Sequence, residues 1–271
     1  MFESISRVLL ITDMDGTFLP ASKKPGQKSL DAIAGFQEKG GLFSIATGRA
    51  LQAASQYFGA FKVNCPIIMC NGGMVYDMNN KRQISDVYVP AFTKDIVRQI
   101  LADNPDVGCE VLTLDNVYVP QMNAVEAQHN VICKVDPVLC DLDDIPDNWY
   151  KVLFAYEPEK MQRLISYVES KNWQGIDFVR SAKEYYEILP QNITKGAGLD
   201  AMRKVCGMQD FTVVAVGDYN NDIEMLKTAD IGICPSNAVK DVKDICDIVL
   251  DVSCEEDAIA AVIDYIYSQL G

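Results

Sequence analysis

The sequence predicts an α/β protein: a Rossmann-like parallel sheet with helices on both faces, plus an inserted α+β domain. Short apolar runs that end in polar turns alternate with helical patterns near both ends of the chain, as in βαβ units. In the middle of the chain, closely spaced strands and a hairpin signal indicate antiparallel pairing. The length of 271 residues leaves room for two modest domains.

The first strand is the apolar run that begins at Val8 and ends at Asp13. A helix is predicted over 29–39, because Ser29 can cap it and Gly40-Gly41 stops it. Two more strands follow at 42–46 and 66–70, with a helix at 50–58 between them.

From about Met74 the pattern changes to a hairpin and then to mixed strands and helices. The βα pattern returns after Pro190 with a helix from Lys195, a strand over 211–216, a further short helix and strand, and an amphipathic closing helix. We therefore predict a core domain formed by 1–86 and 191–271, and an inserted domain at 87–190. The inserted elements are predicted as a helix at 93–103, strands at 108–114 and 117–120, a polar stretch at 135–148, a strand at 150–156, a helix at 158–171 and strands at 176–181 and 185–189.

The composition excludes several classes of function. A net charge of −14 provides no basic excess for a nucleic-acid backbone. No apolar run reaches about 18 residues, so no membrane span is expected. We expect a cytoplasmic protein, because the first residues show no secretory signal. Nine cysteines without a CxxC pair, and a single histidine, His129, disfavour a zinc site, and His129 is predicted to be a surface residue of the insert.

Polar residues gather where the predicted parallel strands end, at Asp13 and Asp15, at Thr47, and at Asp218 with its neighbours. The carboxyl ends of parallel strands share one sheet edge, so these groups can meet although they lie far apart in sequence. Several carboxylates in one place repel each other, and a hard divalent cation such as Mg²⁺ relieves that repulsion.

The same groups suit phosphoryl chemistry. Lys195 supplies a point cation and Thr47 a hydroxyl donor for the oxygens of a phosphoryl group. Asp13, which ends the strand rigidly, is placed to attack phosphorus and form an aspartyl phosphate. Asp15 could give a proton to the leaving oxygen and then activate water.

These residues also resemble a known family, the haloacid dehalogenase-like phosphatases, and within it the Cof-type subfamily with a C2 cap. The resemblance spans the whole chain in the family's order. It rests on five motifs: Asp13-Met14-Asp15-Gly16-Thr17, Ala46-Thr47-Gly48-Arg49, Asn71-Gly72-Gly73, Ile193-Thr194-Lys195-Gly196 and Gly217-Asp218-Tyr219-Asn220-Asn221-Asp222.

The resemblance implies a role for each motif. Asp13 would be the nucleophile and a Mg²⁺ ligand, and Asp15 the acid/base that also gives its backbone carbonyl to the metal. Asp218 would be the other direct ligand, with Asp222 bound through water or one layer further out. The residues that would contact phosphate or the leaving group are Thr47, Gly48, Lys195, Asn221, Asn71 and Asn192.

We therefore predict a Mg²⁺-dependent phosphatase that hydrolyses small phosphorylated metabolites. Among these, sugar phosphates are the substrate class that we favour. Two alternatives stay open: a phosphomutase of the same superfamily, and a non-catalytic sugar-phosphate sensor. The intact Asp15 and Asp218 argue against the sensor, since a binding protein needs no acid/base. A small phosphorylated metabolite is the expected partner, and a monomer or weak homodimer the expected assembly.

Overall fold

The computed structural model describes residues 3–270, which form two compact units. The core unit comprises the described residues of 3–48, 57–85 and 194–270, and the inserted unit comprises 49–56 and 86–193. The predicted α/β architecture with a parallel sheet is confirmed. Residues 49–56, which the sequence places in the core, group with the inserted unit.

The core sheet has eight strands, and its central strands run parallel. The strand order is β14-β13-β12-β1-β2-β3-β4-β5, so β1 lies between β12 and β2. In chain order the strands are β1 Val8–Asp13, β2 Leu42–Ala46, β3 Ile67–Met69, β4 Met74–Asp77, β5 Arg82–Asp86, β12 Thr212–Val216, β13 Ile231–Cys234 and β14 Ile248–Val249. The helices are α1 Gln27–Glu38, α6 Lys195–Val205, α7 Ile223–Thr228, α8 Lys240–Lys243 and α9 Ala258–Ser268.

Both faces of β1 are covered, as expected of a doubly wound sheet. Leu9 and Ile11 pack with Leu199 of α6 and Met225 of α7 in one apolar cluster. Leu10 points to the opposite face, because side chains alternate along a strand, and it is fully buried there. A continuous apolar run is therefore what this position of the sheet requires.

The inserted unit contains a six-stranded, mainly antiparallel sheet with the order β10-β11-β9-β6-β7-β8. Its apolar core lies between one face of that sheet and helices α3 and α5, as shown by the packing of Ile96, Met161 and Phe154. The elements are α2 Leu51–Ser55, α3 Thr93–Asp103, β6 Gly108–Leu112, β7 Val117–Gln121, α4 Ala124–Cys133, β8 Val138–Leu139, β9 Lys151–Ala155, α5 Pro158–Lys171, β10 Ile176–Arg180 and β11 Tyr185–Pro190.

The structure corrects three local predictions. Helix α1 begins before Ser29, with Gly26 as its N-cap, so Ser29 lies inside the helix rather than capping it. Helix α4 is absent from the sequence prediction. His129 lies on α4 with its side chain only 16% exposed, 3.4 Å from Glu110 Oε1 and against the ring of Tyr185, so it is not a surface residue.

Among residues 3–270, no helix combines the length and the apolarity that a membrane crossing requires.

Candidate active site

The candidate site lies at the carboxyl edge of the core sheet. Asp13 is the last residue of β1 and pairs with Ala46 of β2, so Thr47 follows at the same level. On the other side Thr12 pairs with Val216, the last residue of β12, and Asp218 follows two residues later. Residues from three adjacent strand ends therefore lie together at this edge, as the sequence predicts.

Lys195 binds two of the predicted carboxylates. Its Nζ donates to Asp13 Oδ1 and to Asp222 Oδ1, each at 2.5 Å. Lys195 is fully buried and Asp222 is too, while Asp13 is 6% exposed. Buried charges persist only when they are paired in this way. The lysine is placed by Thr194, whose side chain accepts a hydrogen bond from Ala197 N and caps α6.

Asp222 uses both of its carboxylate oxygens within the protein. Oδ1 accepts from Lys195, and Oδ2 accepts from the backbone N–H groups of Asp218 (2.9 Å) and Tyr219 (3.1 Å). These contacts tie the lysine to the turn that carries Asp218. Asp222 thus holds Lys195 and this turn together, and its place one layer behind a metal stays a prediction.

Asp218 is oriented by the first motif of the chain. Thr17, which is 1% exposed, donates from Oγ1 to Asp218 Oδ1 at 2.6 Å. Gly16 has φ +85°, and a Cβ at this position would lie 2.6 Å from Asp218 Oδ2. Only glycine suits both the backbone conformation and the close approach, so the two motifs fit together at Gly16.

Asp15 lies beside this cluster with its side chain 34% exposed. Lys23, in the loop that follows β1, donates from Nζ to Asp15 Oδ1 at 2.6 Å. The carboxylate of Asp15 therefore has a different cationic partner from that of Asp13. The two carboxylates of the first motif therefore have different electrostatic surroundings, although they lie only two residues apart.

The predicted phosphate contacts form a second group on the same edge. Asn71 has a left-handed backbone (φ 56°), and its N–H donates to Thr47 O at 3.1 Å. Asn71 Oδ1 accepts from Asn221 Nδ2 at 3.2 Å. A Cβ on Gly48 would lie 2.9 Å from the same oxygen of Asn71, so Gly48 leaves room for that amide. The structure thus brings Thr47, Gly48, Asn71 and Asn221 together.

Asn192 is placed differently from the other predicted residues. It belongs to the inserted unit, it is exposed, and its backbone N–H donates to Asp177 Oδ2 at 2.7 Å. Its assignment as a phosphate contact stays a prediction.

The pKa shifts follow from burial and from crowding of like charges. Burial is the largest influence on Asp13 and raises the pKa of its carboxyl; Lys195 opposes this shift, and the nearby Asp222 and Asp218 add to it. Burial also raises the pKa of Asp218 to about 6, against the hydrogen bond from Thr17. For Lys195, burial favours the neutral amine, but Asp13 and Asp222 outweigh it and hold the pKa above its usual value.

The donor set fits a hard divalent cation. Asp13, Asp218 and Asp222 each offer an oxygen, and these oxygens lie within 4.8 Å of one another. Lys195 is the only cation bonded to Asp13 and Asp222 among the contacts described above, so the three carboxylates outnumber it. Oxygen-only ligands of this kind suit Mg²⁺. Because both oxygens of Asp222 are occupied, Asp13 and Asp218 are the residues best placed to bind a metal directly.

Two residues that bond to predicted site residues, Thr17 and Lys23, have no role in the sequence analysis. Thr17 stands inside the quoted motif Asp13-Met14-Asp15-Gly16-Thr17, and its spacing from Asp13 gives no hint that it reaches Asp218. Lys23 stands in a polar loop with no recognisable motif. Both contacts depend on the path of the loop after β1, which only the structure reveals.

A family model described as haloacid dehalogenase-like hydrolase matches residues 10–263 of the chain. The chain belongs to the haloacid dehalogenase-like hydrolases. The match includes every motif on which the resemblance rests, so the predicted family is confirmed. The prediction of a phosphoric monoester hydrolase agrees with the names of its relatives.

Several curated relatives of this haloacid dehalogenase-like hydrolase carry phosphatase names. The chain is 27% identical over 256 residues to the HMP-PP phosphatase of Serratia proteamaculans, covering 92% of this chain and 91% of the relative. It is 24% identical over 258 residues to the 5-amino-6-(5-phospho-D-ribitylamino)uracil phosphatase YitU of Bacillus subtilis, covering 93% and 94%.

Solved structures show the same fold. A haloacid dehalogenase-like hydrolase from Bacteroides thetaiotaomicron superposes with a TM-score of 0.85 at 22% identity, over 95% of this chain and 98% of that one. The subclass IIB sugar phosphatase BT4131 superposes with a TM-score of 0.79 at 19% identity, over 96% and 98%. The likeness covers both units and establishes the fold.

Proposed function

We propose that this hydrolase is a Mg²⁺-dependent phosphatase that acts on small phosphorylated metabolites through an aspartyl-phosphate intermediate. The observation that carries the proposal is the buried contact of Lys195 with Asp13 and Asp222 beside Asp218. A cation and a carboxylate nucleophile held at one point are what attack on a phosphate monoester requires.

In the first step, a carboxylate oxygen of Asp13 attacks phosphorus and the bond from phosphorus to the leaving oxygen breaks. Asp15 gives its proton to that oxygen, so the alcohol departs neutral. In the second step, water gives a proton to Asp15 and attacks the aspartyl phosphate. Asp13 is regenerated and inorganic phosphate leaves.

The remaining residues hold the transferring group. Lys195 reduces the repulsion between Asp13 and an incoming phosphate, and it is fixed for this by Asp222. Thr47, Gly48, Asn71 and Asn221 form the group that would donate to the phosphate oxygens. These groups need little reorganisation during the reaction, because contacts within the protein already hold them in place.

The residues that would hold Mg²⁺ are the carboxylates of Asp13 and Asp218 and the backbone carbonyl of Asp15, with Asp222 behind them. When bound, Mg²⁺ supplies charge stabilisation for the phosphate oxygens and orients them toward the nucleophile. Burial first, and the neighbouring carboxylates after it, raise the pKa values of Asp13 and Asp218. These shifts support a cation here, because a cation would stabilise the buried charged forms.

The proposed substrate class rests on the relatives. Those named above are, by their names, phosphatases of HMP-PP and of 5-amino-6-(5-phospho-D-ribitylamino)uracil, and a structural neighbour is a sugar phosphatase. For this chain we place sugar phosphates first. The inserted domain at 87–190 is proposed to discriminate among these substrates, because the site residues of the core unit would contact only the phosphate group.

We further propose a monomer or weak homodimer in the reducing cytoplasm. The nine cysteines are free thiols, which suits such a compartment. Size-exclusion chromatography with light scattering would test the assembly: a stable larger oligomer contradicts it.

The function is tested with a panel of phosphorylated metabolites, with free phosphate as the readout, in Mg²⁺ and in EDTA. We expect phosphate release that requires Mg²⁺. A product that keeps its phosphate at a new position would indicate a phosphomutase. Tight binding without either reaction would indicate a sensor, and both results would overturn the proposal.

The nucleophile is tested with Asp13→Asn, which keeps the shape of the side chain and removes its charge. We expect phosphate release from p-nitrophenyl phosphate to fall by at least about a thousandfold, because the covalent step is lost. A matched control is Asp31→Asn, at an exposed position of α1. Parent activity in Asp13→Asn would show that another group attacks phosphorus.

A further inference from the structure

The loop that joins β1 to α1 is tethered along its length. It carries Asp15 near its start and Lys23 near its middle. Two side chains from later in the chain hold its backbone: Asn237 Nδ2 donates to Gly16 O (2.8 Å) and Glu255 Oε1 accepts from Ala21 N (2.7 Å). A third, Asp257, accepts through Oδ1 from Ser29 N (3.0 Å) in the first turn of α1, directly after the loop. The position of this loop is therefore fixed by the core unit and not by Lys23 itself.

Within the loop, the backbone turns Lys23 back toward the site. Lys23 has φ +58°, a left-handed conformation that costs energy for a residue with a Cβ, and its N–H donates to Pro20 O at 2.9 Å. The side chain then reaches Asp15 Oδ1 at 2.6 Å. The neighbouring Lys24 is exposed as well, so the contact is specific to one of two adjacent lysines.

We propose that Lys23 is a positioning residue that holds the carboxylate of Asp15 in the orientation needed for proton transfer. This inference rests on the proposed function, in which Asp15 is the acid/base. Lys23 itself transfers no proton and does not touch phosphorus. It selects one orientation of the Asp15 side chain by engaging Oδ1 with a charge-assisted hydrogen bond.

The exposure of the pair argues for this role. The side chains of Lys23 and Asp15 are 42% and 34% exposed, and exposed ion pairs contribute little to folding stability. The pair is therefore of little use as a structural brace. An acid/base must lie within hydrogen-bond reach of the leaving oxygen, so a fixed orientation affects the rate directly.

The leaving group provides a selective test. An alkyl alkoxide is a poor leaving group and needs the proton of Asp15, whereas p-nitrophenolate is stable as an anion and needs it much less. The ratio kcat/KM reports the steps up to formation of the aspartyl phosphate, which include this proton transfer. A mispositioned Asp15 should therefore slow alkyl esters and spare the aryl ester.

The experiment measures kcat/KM for p-nitrophenyl phosphate and for the best alkyl phosphate of the panel. Lys23→Met should lower the alkyl value about tenfold and the aryl value by less than about twofold. Lys23→Arg should restore the alkyl value, and the matched control Lys24→Met should change neither. Equal losses on both esters, or no loss on either, would overturn the inference.

A crystal structure of each variant separates this inference from the proposed function. We expect Asp15 to occupy one rotamer in the parent and in Lys23→Arg, and a different or divided set of rotamers in Lys23→Met. An unchanged Asp15 rotamer in Lys23→Met refutes the positioning role whatever the activity. A parent protein that releases phosphate from neither ester would instead refute the proposed function, while the rotamer comparison still decides the role of Lys23.

Discussion

At the scale of single residues, the carboxylate of Asp218 depends on an uncharged neighbour. Thr17 donates to Asp218 Oδ1 at 2.6 Å and is almost fully buried, so no water can easily replace it. We expect Thr17→Val to weaken Mg²⁺ binding about tenfold, because side chains that orient metal ligands typically have effects of this size. Isothermal titration with Mg²⁺ measures it.

The control for that substitution is Thr93→Val. Thr93 is also fully buried, and its hydroxyl has no hydrogen-bond partner among the described residues. It should therefore leave the Mg²⁺ affinity unchanged. Equal affinities of the Thr17→Val variant and the parent would show that Asp218 needs no such support.

Lys195 has a structural effect that can be separated from catalysis. Lys195→Met would leave Asp13 and Asp222 in a buried place without their cation. We expect the free energy of unfolding at neutral pH to fall by about 3 kcal/mol, measured by urea denaturation. Lys240→Met removes an exposed lysine that pairs with Asp244 and should cost less than about 0.5 kcal/mol. Similar losses in both variants would contradict the argument.

At the scale of secondary-structure elements, the sequence predicts those helices whose buried face is apolar. The predicted ranges 93–103 and 158–171 are those of α3 and α5, whose buried residues include Ile96, Ile100 and Leu164. Helix α4 escapes prediction because its buried residues are Glu126 and Asn130. Its apolar residues Val131 and Ile132 are 68% and 51% exposed instead, so apolar periodicity carries no signal for this helix.

The residues of the candidate site likewise fall into those that the sequence predicts and those that it does not. Asp13, Thr47 and Asp218 are predictable because parallel strands place their carboxyl ends at one edge. The partners Thr17 and Lys23 are not predictable, because their contacts depend on the loop conformation set by distant residues such as Asn237. Sequence patterns report regular elements well and long-range side-chain contacts poorly.

The N-cap of α4 provides a test at this scale. Asn123 Oδ1 accepts from Glu126 N (2.8 Å), and Nδ2 donates to Ala155 O (2.8 Å) and Asp106 O (3.0 Å). Asn123→Ala should lower the free energy of unfolding by about 2 kcal/mol, since it removes the cap and two further bonds. Urea denaturation with an α-helical circular dichroism signal measures it.

Asn123→Ser is the matched variant, because its hydroxyl oxygen can still accept from Glu126 N while the two donated bonds are lost. We expect the free energy of unfolding of this variant to lie between those of the parent and of Asn123→Ala. If Asn123→Ala lowers the free energy of unfolding no more than an exposed surface substitution does, α4 does not depend on this cap.

At the scale of the whole molecule, the acidic composition and the site act on stability together. The net charge of −14 leaves little cationic compensation, and at the site the carboxyls of Asp13 and Asp218 have raised pKa values. A carboxyl whose pKa is higher in the folded state contributes stability below its unfolded pKa, and this contribution is lost as the pH rises through its folded pKa. For Asp218 the window runs from 3.8 to about 6.

Mg²⁺ binding should reverse that loss, because the cation binds the deprotonated carboxylates. The stabilisation should approach about 2.7 kcal/mol at a concentration of about 100 times Kd. We therefore expect Mg²⁺ to raise the unfolding temperature more at about pH 7.5 than at about pH 5, where Asp218 is largely protonated. Differential scanning calorimetry with Mg²⁺ and with EDTA measures both shifts, and Asp218→Asn should remove most of the pH dependence. Equal shifts at the two pH values would mean that the metal does not bind through these carboxylates.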